Sequence, residues 1–262
     1  MDLGLADRTV LVTGGSSGVG LATVRALLDE GARVATCART PDRLAAAAAD
    51  LGAGDDRLLT GACDVRDSTA VTGFVRRAAD HFGGLDGLVN NAGQSRMKRL
   101  ADTTADDWRD ELELKFAGVL NPLHAALPLL RAASAPSVVN INAVLAKQPE
   151  PRLITTSAAR AGILNLSKSL SHELAADGIR VNSVCLGLID TGQWTRRHAT
   201  SGTTEPYDSW QAALAADRGI ALGRLGRADE VAYAVLALLS PRASYITGTA
   251  VDVCGGVGRA IA

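Results

Sequence analysis

The stretch Thr13-Gly14-Gly15-Ser16-Ser17-Gly18-Val19-Gly20 is the part of this sequence best suited to chemistry. It follows a short apolar run and leads into a helical pattern. Glycines there let the backbone turn tightly and let an anion reach the unpaired N–H groups of a helix N-terminus, so the expected ligand is a pyrophosphate. The spacing is not G-x-G-x-x-G, and no Gly-Lys-Ser/Thr follows, which excludes a P-loop. Gly14 to Gly18 also fits G-x-S-x-G, the nucleophile elbow of hydrolases. That chemistry needs an acid and then a histidine at strand ends. His81, His124, His172 and His198 all fall in helical or polar stretches, which argues against it. The four cysteines, Cys37, Cys63, Cys185 and Cys254, are scattered in apolar runs without a C-x-x-C pair. They read as buried reduced thiols of a cytoplasmic protein, and no metal is expected.

The elements that must hold these residues alternate. Apolar runs at Thr9–Thr13, Arg33–Ala38, Arg57–Cys63, Leu85–Asn90, Ser137–Asn142, Ile179–Leu186 and Ile246–Val253 read as strands. Between them, helical spacing covers Val19–Glu30, a segment begun by Thr40-Pro41-Asp42, Ser68–Phe82, Thr104 to about Arg131, about Thr155–Ala176, and Arg227–Leu239. Gly31 reads as a left-handed helix end, Thr40 as an N-cap hydroxyl with proline at N1, and Pro122 and Pro128 as bends or breaks. Such alternation gives a parallel sheet covered on both faces, doubly wound. From Asp190 to about Leu222 the rhythm fails, and polar residues, Gly and Pro are frequent. A loop this long is usually functional, often a lid. With 262 residues, 47% hydrophobic and 21% charged, the chain can build a large core. The expected organisation is one domain, 1–262, with a lid-like insertion at about 190–222. A net charge of −1 gives no reason to expect nucleic acid or a membrane surface as partner. No signal peptide is expected at the N-terminus, and no run approaches the ~18 apolar residues of a membrane span.

With these motifs in order, the chain resembles the short-chain dehydrogenase/reductase family over nearly its whole length. Thr13-Gly14-x-x-x-Gly18-x-Gly20 looks like the family's cofactor motif, and Asn90-Asn91-Ala92-Gly93 like its NNAG segment. Asp64, followed by Val65, matches its adenine-contacting acid. Arg180-Val181-Asn182-Ser183-Val184 resembles its sixth strand, and Gly248 to Gly256 its last. The resemblance implies a Rossmann-type doubly wound parallel sheet of about seven strands with helices on both faces. It also implies cofactor contacts from Gly14, Ser16, Ser17, Gly18, Val19, Gly20, Asp64, Val65, Asn91, Ala92, Gly93, Arg160, Ile189 and Thr191. At the end of the second strand, where NAD enzymes of this kind carry a carboxylate, stand Ala38 and Arg39. A guanidinium can pair with a 2′-phosphate that an acid would repel, so NADP(H) is favoured over NAD(H). The competing reading is a solvated Arg39.

The family's four catalytic residues are all replaced. By local pattern its Asn falls on Lys115, its Ser on Ala143, and its Tyr-x-x-x-Lys pair on Thr156 and Arg160. None of Tyr207, Tyr233 and Tyr245 is followed by Lys four positions on, so no register slip restores the pair. A Thr hydroxyl is a far weaker acid than Tyr, whose ordinary pKa is ~10. Arg160 stays protonated and cannot relay protons, but it could hold ribose hydroxyls. Lys115 is the new titratable group. Beside Arg160 its pKa would fall, making it a candidate acid or base; otherwise it points to solvent or packs its stem. Arg196-Arg197-His198, just after Gln193-Trp194 in the lid, could join Lys115, Lys147 and Arg160 around a carboxylate or phosphate substrate; the bland reading is a solvated charge run. Three functions follow: an NADP(H)-dependent oxidoreductase with a non-standard proton donor, a non-redox lyase, isomerase or cyclase, or a non-catalytic nucleotide- or partner-binding protein. Family members are usually dimers or tetramers, so a homodimer or homotetramer is expected.

Overall fold

The computed structural model describes residues 2–259. Its strands are β1 (Thr9–Thr13), β2 (Arg33–Ala38), β3 (Leu58–Ala62), β4 (Gly87–Asn90), β5 (Ser137–Ala143), β6 (Arg180–Leu186), β7 (Ile189–Asp190), β8 (Gly226–Arg227) and β9 (Ala250–Val253). Its helices are α1 (Gly18–Asp29), α2 (Pro41–Leu51), α3 (Ser68–Phe82), α4 (Ala105–Ala132), α5 (Ile154–Glu173), α6 (Gly192–Thr200), α7 (Tyr207–Asp217) and α8 (Ala228–Leu239). Seven strands form one parallel sheet in the order β3-β2-β1-β4-β5-β6-β9, while β7 and β8 pair separately.

Every residue of β1 is buried, as a central parallel strand requires. Successive side chains leave opposite faces of the sheet. Val10 and Val12 therefore pack with Val24 and Leu27 of α1 and Val231 and Val235 of α8. Leu11 packs with Phe74 and Val75 of α3 and Leu123 and Ala126 of α4. Each such fully buried side chain is worth about 1.5–3 kcal/mol. Two separate apolar layers thus clamp the sheet. Its C-terminal edge between β1 and β4, where the strand order reverses, is left for a ligand.

The structure corrects several expectations. The region 190–222 is not a bare loop: it contains α6 and α7. Apolar periodicity missed them because α6 buries none of its own residues. The segment is instead anchored by a small cluster in which Ala215, Ile220 and Leu225 pack with Leu188, Trp194, Leu214 and Val257. Pro122 and Pro128 lie inside α4 without ending it, and its capping box (Thr104 with Asp107) holds the start. Thr40 precedes Pro41 as expected, but its side chain makes no capping hydrogen bond. The last strand begins at Ala250 rather than Ile246, because Gly248, at φ +70°, turns the chain first. Cys37, Cys63 and Cys185 are buried free thiols, whereas Cys254 is half-buried.

Candidate active site

A cavity of about 780 Å³ runs along the C-terminal ends of the strands. At its centre the β1–α1 turn is shaped by two left-handed glycines, Gly14 at φ +76° and Gly18 at φ +55°. Asn91 braces the turn: its amide donates to the carbonyls of Thr13 (2.9 Å) and Gly14 (3.2 Å). The Thr13 hydroxyl in return accepts the N–H groups of Asn91 and Ala92, both at 3.0 Å. Ser17 precedes α1 without a side-chain cap, and the first turn carries no acid. Its N–H groups are therefore free for an anion. Gly14, Ser16, Ser17, Gly18, Val19, Asn91, Ala92 and Gly93 line the cavity. Gly20 does not; a Cβ there would lie 2.3 Å from the Gly14 carbonyl oxygen, so its role is close packing of helix on turn.

At one end the lining residues are Arg39, Thr40 and Arg43, with no carboxylate at the tip of β2. Arg43 escaped the sequence reading, although it follows Arg39 by four residues. Val65 lines the cavity, but Asp64 does not. The Asp64 carboxylate is taken by Arg66, whose Nη2 donates at 2.8 Å and holds its pKa below the usual range. The pairing of two arginines with a glycine cradle fits a nicotinamide dinucleotide bearing a 2′-phosphate.

Over the cavity lies the segment carrying α6 and α7. Ile189 and Thr191 line the cavity, and a Cβ on Gly18 would meet Thr191 Cγ2 at 3.3 Å, so this segment touches the Gly-rich turn. Tyr207 donates to Asp190 at 2.6 Å and stacks on Trp210, and His198 meets both rings edge-on. Arg196 and Arg197 line the cavity, Arg197 lying 4.6 Å over the Trp194 ring. His198 is occupied with the Glu205 carbonyl at 2.8 Å and does not line it. Lys147 also fails the expected grouping: Asp252 on β9 holds it at 2.9 Å, away from the cavity. Arg218 faces the cavity paired with Glu150, two residues that sequence reasoning did not single out.

The replaced catalytic positions gather under one wall. Ala143 ends β5 at the cavity and offers no donor. Lys115 on α4 and Thr156 in the first turn of α5 are 5% and 0% exposed; neither lines the cavity, whereas Arg160 does. Between Lys115 and Thr156 stands Glu111, 2% exposed. Its Oε1 accepts the Thr156 hydroxyl at 2.9 Å and lies 3.3 Å from Lys115 Nζ, which also donates to the Gln94 carbonyl. Arg160 Nη1 donates to the Ile141 carbonyl at 2.5 Å. Gly162 permits the close approach of α5 to Phe116 of α4, where a Cβ would meet the ring at 2.8 Å. Burial first, and then the Arg160 charge, lower the Lys115 pKa to about 8, with Glu111 opposing. The solvent-pointing reading of Lys115 is thereby corrected. Gly93 lines the cavity beside Lys115: a Cβ there would stand 3.5 Å from Lys115 Nζ and 4.0 Å from Arg160 Nη2. Lacking one, Gly93 leaves a gap beside both cations. Sequence reasoning missed Glu111; the one signal that could have found it is its helical spacing with Leu114, Lys115, Gly118 and Val119, all buried on α4.

A family model described as enoyl-(acyl carrier protein) reductase matches residues 14–258. Cis-4-hydroxycyclohexanecarboxylate dehydrogenase of Sinomonas cyclohexanicum is 37% identical over 96% of each chain. Among solved structures, an NADPH-bound short-chain oxidoreductase from Pseudomonas aeruginosa PAO1, described as containing an atypical catalytic center, is 45% identical over 97% of each chain, with a TM-score of 0.91. L-sorbose reductase from Gluconobacter frateurii, complexed with NADPH and L-sorbose, is 30% identical over the full length of both chains, with a TM-score of 0.93.

Proposed function

Because the chain belongs to the short-chain dehydrogenase/reductase family, we propose that it is an NADP(H)-dependent oxidoreductase in which Lys115 takes over proton transfer. The observation that carries this reading is that Gly93, which lines the cavity and has no Cβ, leaves room beside the buried Lys115 ammonium, whose pKa of about 8 suits a general acid near neutral pH. NADPH, when bound, supplies the hydride. The Gly14–Gly18 turn and the α1 N-terminus hold its pyrophosphate, and Arg39 and Arg43 its 2′-phosphate. Two of the solved relatives bind NADPH, which supports this assignment.

Arg160 remains a fixed cation. It holds ribose hydroxyls or the substrate oxygen on which negative charge develops. Lys115 gives that oxygen a proton through the Gly93 gap, directly or through one water, and becomes a neutral amine; in oxidation it takes the proton back. Thr156 donates to Glu111 and has no acidic role of its own. The substrate is a small molecule with an anionic group. Arg160, Arg196 and Arg197 line the cavity, and Glu150, its one lining carboxylate among the described residues, is already paired with Arg218. The chain acts as a single domain and as a homodimer or homotetramer. Its free cysteines accord with the reducing cytoplasm, and no helix among the described residues is long and apolar enough to cross a membrane.

The test is consumption of NADPH by the purified protein against a panel of oxo acids and their neutral amides. Oxidation of NADPH with the acids, and not with the amides, supports the reading. Turnover without cofactor oxidation would assign the fold to non-redox chemistry. NADPH binding without turnover of any panel member would assign it to nucleotide-dependent partner binding.

A further inference from the structure

Glu111 occupies a place where an inward helix stripe calls for an apolar residue. Burying an ionised carboxylate is costly unless opposite charge and hydrogen bonds offset the loss of water. Its Oε1 has two partners, Thr156 and Lys115, and Arg160 is near enough for the two charges to act on each other. The other oxygen, Oε2, has no donor among the described residues, and Arg160 Nε, equally shut off from solvent, has no acceptor. Unmatched buried polar atoms are uncommon and call for an explanation beyond packing.

The explanation lies in what faces Lys115. Arg160 approaches from α5 and Arg96 from the segment after β4, and both repel an ammonium. Glu111, one turn earlier on α4, is the one carboxylate paired with Lys115 among the described residues. Without it, Lys115 would be a cation buried beside other cations and would shed its proton. We propose that Glu111 is a positioning residue for proton transfer: its Oε1 ties the Lys115 ammonium to the Thr156 hydroxyl, keeping Lys115 protonated and turned toward the gap at Gly93. Glu111 takes no proton itself. The N–H bond that breaks is on Lys115, the O–H bond that forms is on the substrate, and water returns the proton afterwards. The catalytic meaning of this arrangement rests on the reading of Lys115 given above, but its physical content can be measured without turnover.

The chain has only four lysines, Lys98, Lys115, Lys147 and Lys168, so lysine side-chain NMR of labelled protein gives one assignable signal for each, with Lys115→Arg as the assignment control. The titration midpoint of Lys115 is expected near 8 in the unaltered chain. In Glu111→Gln it falls by at least about one unit, and in Glu111→Asp by less. Thermal unfolding is recorded alongside, because a purely structural role would lower the melting temperature and leave the Lys115 midpoint in place. If Glu111→Gln does not fold, Glu111→Asp decides alone. A midpoint unmoved or raised in the variants that fold overturns the proposal. A lowered midpoint in a protein that never consumes NADPH upholds the role of Glu111 and sinks the oxidoreductase reading instead.

Discussion

At the scale of single residues, the two ends of the cavity ask for different ligands. Arg39 and Arg43 stand where a carboxylate would select the unphosphorylated ribose, and their charges suit a 2′-phosphate. A hydrogen bond to a charged group is worth ~1.5–3 kcal/mol. Arg39→Ala is therefore expected to weaken NADPH binding about 10- to 100-fold in a fluorescence titration. NADH, which lacks the phosphate, should be bound equally by both proteins. A parallel loss for both cofactors would remove Arg39 from the phosphate site. Arg39 was legible in the sequence because it adjoins a strand end fixed by a local pattern. So were Thr156 and Arg160, one helical turn apart. Glu111 was not, because its burial comes from the packing of α5 on α4, across forty-five residues of chain. For Asp64 the pattern located the residue just beyond β3 but not the pairing of its carboxylate with Arg66 two residues on.

At the scale of elements, the junction of turn and helix sets the site. Gly20 lies in α1 against the backbone of Gly14, whereas Gly73 in α3 has nothing within 4 Å of where its Cβ would be. The same substitution should act with opposite sign at these positions. Gly73→Ala removes backbone freedom from the unfolded chain and should stabilise by about 0.4–1 kcal/mol. Gly20→Ala would press a methyl into a carbonyl oxygen and the Asn91 amide, costing about 1–3 kcal/mol and weakening NADPH binding as the turn shifts. Denaturant midpoints and a cofactor titration check both. If Gly20→Ala proved as stable as the parent, the packing account of the turn would be wrong. The strands and most helices could be read from apolar period and caps, since β1 and α3 are internally consistent. α6 and α7 could not: α6 has no buried residue of its own and stays in place through aromatic contacts with a neighbouring helix.

At the scale of the whole molecule, a doubly wound parallel sheet was implied by the alternation of strands and helices and by the family motifs, and the structure gives its strand order. What the order does is bring the ends of β1, β4 and β5 together, so that a cradle for phosphates and Gly93 line one cavity, with the buried cluster of Lys115, Glu111 and Thr156 behind Gly93. None of those three is useful alone. The cradle without the cluster only binds a nucleotide, and the cluster without the gap is sealed. If Lys115 is the proton donor proposed above, reduction requires it as ammonium, so the rate falls as pH rises through its pKa of about 8, and oxidation rises over the same range. The most direct test is the pH–rate profile of NADPH-linked reduction, measured in the unaltered protein and in Lys115→Met. The account predicts a one-proton decline centred near pH 8 and a loss of at least about a hundredfold in the variant. A rate that is level through pH 8, or a Lys115→Met protein that reduces substrate as fast as its parent, would contradict it.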